Sequence, residues 1–135
     1  MTPTDADVDD NAGVGVGRPI RGVVFDKDGT LLDFHATWDG AVAAAFDGIE
    51  DADARSAAAD ALRFDLANRR ILADSEFIAG TYDDMVRLLS PHTDVEGFSA
   101  RMIAAAESQL VAMDGADAVL RELADRGIPM SVATN

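Results

Sequence analysis

Between positions 20 and 34 three consecutive apolar residues, Val23, Val24 and Phe25, run straight into Asp26, Lys27, Asp28 and Gly29. Unbroken apolar positions suit a strand covered on both faces, as in a parallel α/β sheet, better than a half-exposed strand. The loop over 26–30 then lies beyond the carboxyl end of that strand, where ligands of such sheets bind. From 35 to 112 the spacing becomes helical. Trp38, Val42 and Phe46 stand at i, i+4 and i+8 and predict a helix over 38–46, with Gly48 near its end. Leu62 and Leu66, followed by Arg69 and Arg70, predict a longer amphipathic helix over 54–73 with a cationic terminus. Thr81 and Asp84 are spaced as a near capping box and begin a third helix that Ser90 and Pro91 stop. A fourth, over 95–112, carries Phe98, Met102 and Leu110 on a less regular face. Four helices in one block predict a small bundle. A further helix over 114–126 has Val119, Leu120 and Leu123 on one face, Gly127 ends it, and an apolar run over 128–133 closes in Thr134 and Asn135. Helix, glycine, strand is a crossover unit, so the pattern as a whole predicts an α/β core interrupted by a helical insertion. Positions 1–19 have no periodic apolar face and predict a disordered leader.

Composition narrows the function classes. At 135 residues and 48% hydrophobic the chain is one domain's worth at most. With no cysteine there is neither a disulfide framework nor a thiolate metal site. Twenty-five acids against 11 bases leave a net charge of −14, which argues against nucleic acid and against anionic membrane surfaces as partners. No stretch approaches the ~18 apolar residues of a membrane span, and the first residues are acidic where a signal peptide is basic. A cytoplasmic location is the resulting expectation. Aspartates far outnumber glutamates, a bias that a high-salt cytoplasm or a GC-rich genome would each produce.

The chemistry concentrates at 26–30. Two aspartates one residue apart on a tight turn offer hard oxygen ligands of the kind Mg²⁺ prefers, together with waters and phosphate oxygens. An aspartate can also be a covalent nucleophile, as in aspartyl-phosphate enzymes. Gly29 lets the backbone approach a ligand closely. The spacing separates two jobs: Asp26 attacks phosphorus, while Asp28 gives a proton to the leaving group and later activates water. A hairpin is the alternative, since Asp-Gly between apolar runs also marks a two-stranded turn over 26–29. An EF-hand is excluded because Gly29 follows Asp26 by three positions rather than five.

The run from Val24 to Asp33 resembles the first signature motif of haloacid dehalogenase-like (HAD) phosphatases, hhhhDxDGTLhD, and its continuation Phe34, His35, Ala36, Thr37, Trp38 resembles the phosphoglycolate phosphatase-like branch. The resemblance implies a partial Rossmannoid parallel sheet over 20–34 and 113–135, with a helical cap inserted over 35–112. It implies Asp26 as nucleophile and Asp28 as general acid/base, with both holding Mg²⁺, Asp28 through its backbone carbonyl. Lys27 and Gly29 fall in the phosphate-binding loop. The closing Val132, Ala133, Thr134, Asn135 resembles the second motif, which implies that Thr134 and Asn135 also hold the phosphate. Asp at position 28 favours phosphate-ester hydrolysis, since family members that dehalogenate or cleave phosphonates lack it. The implied partner is a small phosphorylated metabolite, for which the branch suggests phosphoglycolate; oligomeric state is left open. In the family the cap reads the part of the substrate that is not phosphate, and His35, Thr37, Trp38, Arg69, Arg70 and Tyr82 are the candidates for that role.

The resemblance spans about 20–135, roughly the first half of a complete family member. The family's third-motif lysine and fourth-motif acids are not found, and Lys27 is the sole lysine. The expectation is a fragment of low stability and little activity alone. The alternative is a non-catalytic truncated product, or a helical module that binds a partner.

Overall fold

The computed structural model describes residues 19–134. The expected leader, but for Pro19, and Asn135 lie outside the described residues. A four-residue strand, β1 (Val23–Asp26), leads through the 26–30 turn into α1 (Phe34–Asp47). Then follow α2 (Ala52–Leu62), β2 (Phe64–Asp65), β3 (Arg70–Ile71), α3 (Glu76–Ala79), α4 (Tyr82–Leu89) and α5 (Val95–Glu107). The chain returns through α6 (Ala116–Asp125) to β4 (Met130–Ala133).

β4 pairs with β1 in parallel, in register from Val23↔Met130 to Asp26↔Ala133. The parallel pairing decides between the two readings of 23–34, because the residues after Asp26 turn into a helix and not into a second hairpin strand. Gly127, at φ +66°, makes the turn from α6 into β4 that a side chain would strain.

The hydrophobic core lies in the insertion. Every fully buried side chain among the described residues falls between Thr37 and Ala106, with Phe46, Phe98, Leu62, Ile71, Leu89 and Val42 the largest apolar ones. Phe46 sits 4.9 Å from Phe98, edge-on, and 5.0 Å from Phe64. α1 packs chiefly on α5 and α2 on α4. Half of the buried residues of α1 are alanine (Ala41, Ala43, Ala45), which allows close approach around Phe46. The strands differ from the covered pair that their apolar run predicts: Val24 is 68% exposed and Val132 53%. Val23 and Phe25 are half-buried, so one face of β1 is partly covered, whereas β4 is exposed along its length and α6 makes only sparse contacts.

Residues 63–73 correct the predicted helix over 54–73. α2 stops at Leu62, Arg63 turns left-handed (φ 59°), and 64–71 form a short antiparallel hairpin, Phe64↔Ile71. The cause is local. The Asp65 carboxylate accepts from the backbone N–H groups of Ala67 and Asn68 and from the Asn68 side chain, a turn that competes with helix. The same Asn68 bonds hold the Asp65 carboxyl below its ordinary value. The hairpin sends Phe64 and Ile71 into the core and leaves Leu66 at its tip. α5 likewise ends at Glu107, short of 112.

Candidate active site

The site is built where the cap leaves and rejoins the sheet. The 26–30 turn is closed by backbone bonds from Leu31 and Leu32 N–H to Lys27 C=O (2.9 Å each) and from Gly29 N–H to Leu32 C=O (2.8 Å). Gly29 adopts φ +80°, with open space where a Cβ would stand. Asp33, the last acid of the run, caps α1 by accepting from Ala36 N–H at 2.9 Å. The outgoing and returning linkers pair side by side: Asp33 N–H donates to Val111 C=O (2.8 Å) and Met113 N–H to Leu31 C=O (2.9 Å).

Asp26 lies exposed at the end of β1, its Oδ1 accepting from Lys27 N–H at 2.9 Å. Register places Thr134 one residue past Ala133, the partner of Asp26, so both stand at the carboxyl edge of the sheet. Asp28 turns toward the cap. Its Oδ1 accepts the indole N–H of Trp38 at 2.8 Å, and its Oδ2 lies 3.6 Å from Lys27 Nζ, which sits 5.7 Å over the Trp38 ring. Trp38 therefore does two things that helical spacing alone does not separate. Its ring packs edge-on against Phe77 at 5.5 Å, and its N–H fixes one oxygen of Asp28.

Lys27, Asp28 and Trp38 share a pocket of about 200 Å³ with Phe34, Phe77 and Tyr82. Of the six cap candidates the pocket gathers Trp38 and Tyr82. The other four are placed elsewhere. Thr37 is fully buried and its hydroxyl accepts from Val111 N–H at 3.2 Å, holding the returning linker. The His35 ring pairs with the Asp39 carboxylate at 3.1 Å, and Asp39 in turn accepts from Ile71 N–H at 3.0 Å, tying α1 to the hairpin. Arg69 makes a two-pronged pair with Asp47 (3.1 and 2.8 Å), which lowers the Asp47 carboxyl pKa and raises its own. Arg70, on β3, is exposed outside the pocket lining. Phe34, Glu76, Phe77, Met85 and Met102 line the pocket without having been picked as candidates. Phe77 and Glu76 lie on a four-residue helix too short for periodicity to reveal. Its signal is the Ser75 cap and the Gly80 stop.

A family model described as haloacid dehalogenase-like hydrolase matches residues 20–135. The chain belongs to the haloacid dehalogenase-like hydrolases. A search of curated proteins and a search of solved structures each gave no match. Membership makes the Asp26 loop of this hydrolase its candidate reaction centre, and the partial Rossmann-like pair β1–β4 carries it. As a metal site the loop offers two aspartates; among the described residues no cluster of three or more potential ligands forms. Two carboxylate positions suffice for Mg²⁺ when waters and substrate phosphate complete its shell. Trp38 N–H bonds one Asp28 side-chain oxygen and Lys27 Nζ stands 3.6 Å from the other, whereas Asp26 accepts the Lys27 backbone N–H on Oδ1 and presents the more open carboxylate of the two. No helix of the described residues is long and apolar enough to cross a membrane.

Proposed function

We propose that this hydrolase is a Mg²⁺-dependent phosphatase acting on a small phosphorylated metabolite through a phosphoryl group carried on Asp26. The observation that carries the reading is the Trp38–Asp28 bond, which holds an acid two residues from the nucleophile at the mouth of a cap pocket. An Asp26 carboxylate oxygen attacks phosphorus in line with the ester oxygen, and the P–O bond to the leaving group breaks. Asp28 gives its proton to the departing oxygen. Because the indole occupies Oδ1, that proton travels on Oδ2. In the second half Asp28 takes a proton from water, whose oxygen attacks phosphorus and displaces the Asp26 carboxylate, releasing inorganic phosphate. Asp26 and the Asp28 backbone carbonyl would hold Mg²⁺, which when bound would offset the repulsion between carboxylate and phosphate dianion. Lys27, Gly29, Thr134 and Asn135 hold phosphate oxygens. Phosphoglycolate is the substrate the branch suggests, and the cytoplasm the matching compartment.

A second reading is a non-catalytic module that binds a partner, and the exposure of Val24 and Val132 on the sheet favours it. Beryllofluoride with Mg²⁺ separates the two. Saturable binding that is lost in Asp26→Asn is expected of the phosphatase, and no binding by a folded chain leaves the partner module.

A further inference from the structure

The lining of the pocket restricts what the leaving group can be. Phe34, Trp38, Phe77 and Tyr82 supply aromatic wall and Met85 and Met102 apolar wall, with Phe77 standing 6.2 Å from Phe34 and 5.5 Å from Trp38. Charge is confined to Lys27 and Asp28 on the loop side and Glu76 on the cap side. Among the described residues Lys27 is the only cation in the lining, and it stands beside Asp28 where the phosphate would arrive. The cap's arginines lie outside the lining: Arg55 bonds the Ile49 carbonyl, Arg63 pairs with Asp74, Arg69 with Asp47 and Arg87 with Asp84, Arg101 bonds the Ala45 carbonyl, and Arg70 is exposed. A carboxylate or second phosphate on the leaving group would be stripped of water among aromatic rings, without a counter-charge and facing Glu76. The volume of about 200 Å³ lies below the ~300 Å³ at which pockets for drug-sized ligands begin, so the group must be compact.

We infer that the substrate is a phosphate monoester whose leaving group is compact, seated against the aromatic wall and free of any second anion. The inference rests on the phosphatase reading for the phosphate and on the pocket for the rest. It sets phosphoglycolate and bisphosphates aside.

Calorimetric titration of the full chain with Mg²⁺ tests it, using benzyl phosphate, phosphoglycolate and benzyl alcohol as probes. Benzyl phosphate is expected to bind at least tenfold more tightly than phosphoglycolate, and Phe77→Ala to erase most of that difference. Glu76→Arg is expected to raise phosphoglycolate affinity at least threefold. Phosphoglycolate binding as tightly as benzyl phosphate in the unmodified chain overturns the inference and leaves the phosphatase reading standing. Binding of benzyl alcohol without either phosphate supports the pocket assignment and overturns the phosphatase reading. If none of the three binds, both fall.

Discussion

The bond between Trp38 and Asp28 spans the junction of cap and sheet, and its strength can be worked from its geometry. The N–H to carboxylate distance is 2.8 Å, the range of a charge-assisted bond. Bonds to charged groups contribute roughly 1.5–3 kcal/mol when sheltered. The Asp28 side chain is 27% exposed, so water competes, and about 1 kcal/mol is the appropriate coupling. Trp38→Phe removes the donor and keeps an aromatic ring against Phe77; Asp28→Ala removes the acceptor. The two changes form a double-mutant cycle on unfolding free energy, measured by urea denaturation followed by circular dichroism. Each single variant also loses packing or the Lys27 contact, and the cycle cancels those losses. The expected interaction energy is about 1 kcal/mol, a fivefold effect on the unfolding equilibrium. Additivity to within about 0.3 kcal/mol would refute the reasoning, because it would mean that the indole does not hold the carboxylate in solution.

Thr37→Val keeps the shape of a fully buried side chain but removes the acceptor of Val111 N–H, so a loss of about 1–2 kcal/mol in denaturant titration is expected; an unchanged midpoint would show that water replaces the bond. Phe46→Ala opens a cavity between Phe64 and Phe98 and should cost about 3–5 kcal/mol, a large part of the ~5–15 kcal/mol that holds a domain together, read as a fall in melting temperature of many degrees. Asp84 has a pKa lowered from 3.8 to about 2 by the Thr81 backbone N–H, then Arg87. Its folded pKa lies below its unfolded one, so the stabilisation is complete above about pH 4 and disappears as pH falls toward 2. Melting curves of the unmodified chain and Asp84→Ala should therefore converge across that window; a constant gap would contradict it.

The residues whose roles follow from near neighbours were legible in the sequence. The capping box is one: Thr81 and Asp84 bond reciprocally, as their three-residue spacing requires. Gly127 is another, since helix, glycine and strand leave one sensible path. The 26–30 loop was legible as a turn at the end of an apolar strand, with a hairpin left open until the parallel pairing of β1 and β4 decided against it. Beyond the parallel pairing of β1 with β4, long-range side-chain pairings were not legible. The helix over 54–73 failed because Leu62 and Leu66 match helical spacing equally well, whereas the Asp65 turn that breaks it depends on Asn68 three residues on. Arg69 and Arg70 looked like a cationic helix end, yet Arg69 lies in a left-handed turn and reaches Asp47, a pairing that spacing cannot reveal. An apolar run alone does not show which layers meet a strand, so the exposure of Val24 and Val132 lies beyond what it predicts.

The same short run that ends in the reaction loop also fixes the cap. Asp33 starts α1, and one turn in, Thr37 grips the returning linker while Trp38 reaches back to Asp28. The two linkers are bonded only a few residues from that contact. A cap that swings open must pivot at the paired linkers, because they are the backbone connection between the two parts. Trp38 lies just beyond the pivot, so opening would part the indole from Asp28 before it disturbed the Phe46 core. On the phosphatase reading, Asp28 would then be fully held only with the cap closed, and the Trp38 bond would couple pocket closure to the chemistry. Thr37→Val and Trp38→Phe separate the two halves of that coupling: the first loosens the pivot and leaves the indole donor in place, while the second removes the donor and leaves the pivot intact.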